Sequence, residues 1–150
     1  MLGRGILAGV VGGAIFAVIT MWFTASTGAG AVTPLKMIAT ILQGDDAFPR
    51  DASSILGATL HMVLSVAYGI VFAVVVAAIR ASAGVIALLG LLYGAAIFVV
   101  NFLVLAPLWF TTFQAANKPF ELAIHLVFGA VLTVPLLPFI RRARNSEPPH

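Results

Sequence analysis

The chain has 150 residues, of which 61% are hydrophobic and 9% charged, with a mean hydropathy of +1.12 and a formal net charge of +3. Soluble domains are about 25% charged, so this composition excludes a water-facing surface and fits the interior of a bilayer. Cysteine is absent, which excludes disulfides, thiolate metal sites and thiol catalysis. The basic balance lacks the patch of cations and interleaved aromatics that marks a nucleic-acid binder.

Crossing a hydrocarbon core takes about 20 residues of helix, and four stretches qualify, at 6–25, 55–79, 84–108 and 120–140. Helix is the only open-chain way to satisfy a backbone in lipid. The expected fold is therefore all-α: a polytopic four-helix membrane bundle over 1–140 with a basic tail over 141–150. The first apolar segment is too long for a cleavable signal peptide and is followed by further spans.

The first span carries Gly5, Gly9, Gly13 and Ala17 as a small-residue stripe suited to close helix approach, with Thr20 and Trp22 towards its far end. The loop 26–54 predicts one short helix, capped by Thr33 with Pro34 in its first position. Leu35, Ile38, Ile41 and Leu42 share a face and Gly44 ends it, as in a helix lying on the membrane surface. Such a helix serves either as a lid or as a plain connector. The second span holds His61, Ser65 and Tyr68 on one face, by i, i+4, i+7 spacing. The third has Gly90 and Gly94 as a second small-residue pair, then Asn101, with Trp109 just beyond its end. The fourth places Glu121, His125 and Gly129 on one face. Pro107, Pro135 and Pro138 lie near span ends, where broken backbone bonds are more easily satisfied.

An even number of spans puts both termini on one side, with Arg4, Arg80, Arg141, Arg142 and Arg144. Lys36, Arg50 and Lys118 lie opposite, with Asp45, Asp46, Asp51 and Glu121. The cation excess marks the cytoplasmic face, so the termini are expected inside. His61 and His125, the only histidines within the spans, then lie about 8–9 Å below the outer helix ends. Thr20 and Asn101 fall in the same layer. Residues 8–20 align without gaps on 90–102, and a second offset pairs His61 with His125. This suggests an internal repeat of two helix pairs about an axis along the membrane normal.

The segment from His61 to Phe72, with Leu92-Tyr93-Gly94, Asn101-Phe102, Ala106-Pro107, Asn117 and His125-Leu126-Val127-Phe128-Gly129, resembles an uncharacterised bacterial family of small four-helix inner-membrane proteins, loosely YagU-like. The resemblance runs from about His61 onward. It implies a bacterial inner-membrane location and four spans, and brings no activity with it.

Intramembrane ionisable groups are functional-site candidates. Facing histidines on parallel helices suit axial ligation of haem b, with Gly129 leaving room for the macrocycle. Glu121 would orient His125, and Asn101 and Tyr68 would donate or accept around the ligand. A metal ion on His61 and His125 is a second option, copper first, although Met62 is turned about 100° from His61. Alternatively the same groups satisfy one another and lock helix register, as in an accessory subunit of a larger membrane complex or homo-oligomer. Transport is disfavoured, because 71–79 and 85–91 contain no polar side chain. No catalytic motif is recognisable, so a binding protein rather than an enzyme is expected.

Overall fold

The computed structural model describes residues 1–79 and 82–138. Helix α1 spans Leu2–Ser26, α2 Thr33–Gln43, α3 Ser54–Ala78 and α4 Ala83–Phe98. α4 continues without interruption through a π-helical stretch, Val99–Leu105, into the short α5, Ala106–Trp109. A 3-10 turn, Thr111–Ala115, leads to α6, Lys118–Thr133, which tightens to 3-10 winding at Val134–Leu136. Among the described residues four helical segments are long and apolar enough to cross a membrane: Leu2–Ser26, Ser54–Ala78, Ala83–Trp109 and Lys118–Leu136. They are compatible with an integral membrane protein and suggest a multi-pass one. Arg80, Arg141, Arg142, Arg144 and the tail 141–150 lie outside the described residues.

Local chemistry explains most boundaries. Ser53, Ser82 and Asn117 cap α3, α4 and α6, their side chains accepting from the N–H groups of Leu56, Val85 and Phe120 at 3.2, 3.4 and 3.0 Å. Pro107 has no N–H, and its ring would crowd the carbonyl four residues back in an α-helix. The wider π winding accommodates it, with the Ala106 N–H donating to the Asn101 carbonyl. Pro135 tightens the end of α6 for the same lack of a donor. Thr33 departs from the cap expected of it. It is the first residue of α2, and its hydroxyl donates back to the Ala29 carbonyl. Leu42 is also off the buried face, at 65% exposure, and Met37 takes its place beside Ile38 and Ile41.

The four long segments form a ring in the order α3, α1, α6, α4. Glycine makes two of its seams. A Cβ on Gly9 would lie 2.5 Å from the Ser65 carbonyl oxygen, so α1 and α3 touch backbone to backbone. A Cβ on Gly90 would lie 2.5 Å from the Gly129 carbonyl oxygen, and α4 meets α6 in the same way. These contacts set Gly9 beside Ser65 and Gly90 beside Gly129, whereas the gap-free alignment of the sequence pairs Gly90 with Ala8. Between α1 and α6, Phe128 fills the space over Gly12, and Phe23 stacks on Phe120 at 3.8 Å.

Arg4 donates to the Pro135 carbonyl at 3.3 Å, so the start of α1 and the end of α6 share one end of the bundle, here the terminal end. α2 and the Thr111–Ala115 turn cover the other, the loop end. The core of Ala8, Phe72, Ala73, Val76, Ile86, Leu132 and Leu136 fills the terminal half. Over their most apolar windows the four spans bury only 28–44% of their residues. Large apolar side chains such as Val18, Val63, Val71 and Leu92 face outward, which is compatible with a lipid surround. Trp22 and Trp109, 68% and 66% exposed, ring the loop end where interfacial anchors belong.

Gly90→Val should destabilise the purified protein by at least ~1–3 kcal/mol through overpacking, seen as a lower unfolding temperature in detergent. Gly3→Ala, with nothing within 4 Å of the added Cβ, should leave that temperature unchanged.

Candidate functional site

The loop half of the ring is hollow. A cavity of about 530 Å³ lies between the four segments under α2, within the size range of small-ligand sites. Pro34, Met37, Ile38 and Ile41 of α2 form its roof, and Phe16, Phe23, Phe102, Phe110, Phe113 and Phe128 supply aromatic wall. His61, Tyr68, Asn101, Glu121 and His125 all line this wall, with Thr20 and Ser65, whereas Gly129 packs against Gly90 in the α4–α6 seam and leaves no room for a macrocycle there.

His61 Nε2 lies 2.9 Å from the Gly13 carbonyl oxygen of α1. A carbonyl only accepts, so Nε2 carries the hydrogen and the neutral ring keeps its lone pair on Nδ1. His125 is 5% exposed and its Nδ1 lies 2.6 Å from the Glu121 carbonyl oxygen one turn earlier. Here Nδ1 carries the hydrogen and the lone pair is on Nε2. The two imidazoles are thus opposite tautomers. Glu121 does orient His125, but through its backbone: its carboxylate stands 3.9 Å away, too far for a hydrogen bond. Phe16 touches both rings, with centroids 5.4 Å from His61 and 4.9 Å from His125. Phe98 and Phe102 add edge contacts to His125 at 6.0 and 5.6 Å.

The remaining groups do not satisfy one another. Thr20 Oγ1 is fully buried without a hydrogen-bond partner among the described residues. Thr24 one turn on shows the usual alternative, donating to the Thr20 carbonyl at 3.0 Å. Ser65 Oγ, the Asn101 amide and the Tyr68 hydroxyl likewise make no hydrogen bond to another described residue. Tyr68 contributes its backbone instead, its carbonyl accepting from Tyr93 Oη at 3.1 Å. The polar layer therefore surrounds a space rather than closing on itself.

Sequence reasoning missed Phe16, Tyr93 and a clasp over the roof. Asp45, just after α2, accepts hydrogen bonds from the hydroxyls of Thr111 and Thr112, the latter at 2.7 Å. The Asp45–Thr111–Thr112 pairing spans more than 60 positions and has no local signal. Met62 packs towards Gly13 and is not part of the cavity wall. Among the described residues no group of three or more His, Asp or Glu side chains is placed to hold a metal ion. No protein-family model, curated protein or solved structure matches this chain.

The two threonine hydroxyls hold the Asp45 carboxyl below its ordinary value of 3.8. A lowered folded-state value means that the clasp contributes fully above pH 3.8 and is lost as pH falls through that lower value. The protection of the Thr111–Ala115 turn against hydrogen exchange, taken relative to the intrinsic rate at each pH, should accordingly stay constant from neutral pH to about 4 and fall only below that. Asp45→Ala should show the lower protection at neutral pH.

Proposed function

We propose that this chain is a multi-pass membrane protein that binds one small, largely apolar ligand in the cavity at its loop end. The observation that carries this is the buried, unpartnered Thr20 hydroxyl in the cavity wall. An orphan buried hydroxyl costs about 1–3 kcal/mol, and a ligand that reaches it, Ser65 and Asn101 would recover that cost. Binding, rather than catalysis, is the role these groups support.

Haem b on His61 and His125 is the more demanding version of this reading, and the hydrogen bonding fits it poorly. Bis-imidazole ligation needs two facing lone pairs. His61 directs Nε2 at Gly13 and leaves only Nδ1, the nitrogen nearer its own backbone. Phe16 also lies against both rings. The same pair of nitrogens gives a metal ion no better geometry. A second reading, an accessory subunit of a larger complex or a homo-oligomer, is favoured by the bond from His61 to Gly13, which locks α3 on α1. Interhelical contacts of this kind are worth about 0.6–2 kcal/mol.

The location we propose is a bacterial inner membrane, with the termini in the cytoplasm and the loop end outside, as the arginine bias and the YagU-like resemblance suggest. A duplicated helix pair would account for the shared glycine seams of α1 with α3 and α4 with α6.

The full chain purified in mild detergent from haem-replete cells should give a flat visible spectrum, oxidised and dithionite-reduced, and a small-molecule adduct by native mass spectrometry. Thr20→Val should raise the unfolding temperature of the stripped protein, by removal of an orphan hydroxyl worth ~1–3 kcal/mol, while weakening retention of the adduct. A low-spin haem spectrum lost in both His61→Ala and His125→Ala would replace this reading with the haem one. No adduct, and no effect of Thr20→Val, would leave the accessory-subunit reading.

A further inference from the structure

Three seams of the helix ring are extensively packed, and the fourth is not. α3 and α4 are joined by a connection of a few residues at the terminal end, yet they meet only weakly. Tyr93 donating to the Tyr68 carbonyl, and its ring 5.2 Å from that of Phe72, tie this seam in the terminal half. Nearer the loop end the residues that would continue it, Leu64 on α3 and Ile97 and Asn101 on the other side, line the cavity instead. This gap lies between two apolar spans, at the depth of hydrocarbon.

The wall chemistry limits what can sit there. Among the described residues its one acid is Glu121, and no lysine or arginine lines it. The nearest cation, Lys118, donates to the carbonyls of Phe113, Gln114 and Ala116 at 3.0, 2.9 and 3.3 Å and stands 5.6 Å over the Phe102 ring. A phosphate head would thus meet a carboxyl group in a low-dielectric site with no free counter-charge. The polar set suits a neutral group that both donates and accepts. His125 Nε2 and the Glu121 carboxyl accept, while Thr20, Ser65 and Asn101 donate or do both.

Resting on the cavity as a ligand site, we propose that its ligand is an uncharged lipid with a hydroxyl-bearing head, admitted sideways from the bilayer between α3 and α4. The head lies among Thr20, Asn101, Glu121 and His125, and the chain runs out through the gap beside Leu64.

The test uses the lipid-stripped full chain in detergent with hexadecanol and hexadecyl phosphate, which share a chain and differ in head charge. Hexadecanol should bind one per protein, at least tenfold more tightly than the phosphate, and Thr20→Val should weaken it severalfold. Leu64→Trp should slow its association at least tenfold, whereas Val63→Trp, on the outward side of α3, should not. Equal or tighter binding of the phosphate would overturn the ligand class and leave the cavity reading intact. An unchanged association rate in Leu64→Trp would overturn the sideways route alone. No binding of either probe, with Thr20→Val without effect, would overturn the ligand site itself.

Discussion

The architecture depends on contact between bare backbones. At Gly9 against Ser65, and at Gly90 against Gly129, no side chain separates the helices. The four long segments are apolar enough to cross a membrane, and in lipid no hydrophobic force would act between them, leaving close van der Waals approach and polar bonds to hold them. Two tight pairs result, α1 with α3 and α4 with α6, and everything else is set by how those pairs lean on one another. Where they meet along α1 and α6, aromatic rings fill the gap. Where α3 and α4 meet, only the terminal half is filled.

That difference divides the molecule along its length. The terminal half is an apolar plug built on Phe72, Val76, Ile86 and Leu132. The loop half trades packing for space, and its polar groups face that space instead of one another. Low polarity makes each unsatisfied group there expensive, which is why the arrangement points to an occupant more than to a simple lock. The two histidines also close on protein, His61 through Gly13 of the neighbouring helix and His125 through the Glu121 carbonyl of its own.

Much of this was legible in the residues. The spans follow from length and apolarity, and the stripe at Gly5, Gly9 and Gly13 marked the face α1 turns to α3. Depth counting brought Thr20, His61, Asn101 and His125 to one layer, because a helix rises by a constant step. What lay beyond reach were features that depend on relative rotation and long-range meeting. The tautomers of the histidines required knowing that Gly13 offers a carbonyl to His61. The role of Glu121 fell to its backbone, which no residue type announces. Leu42 failed as a buried-face residue because Met37 fits the cavity side of α2 better. Nothing in the sequence distinguishes Phe16 from the other apolar residues of its span, yet its ring is the shared neighbour of both imidazoles.

The π-helical stretch Val99–Leu105 has one more consequence. Wide winding stores surplus chain within an otherwise continuous span. Expelling one residue of that slack would turn everything after it by about 100° relative to everything before. Phe102 and Leu105 would swing off the cavity wall, while Ile97 upstream stayed in place. The shape of this side of the hollow is thus set by the pitch of a single helix, like a screw whose thread has been stretched over two turns.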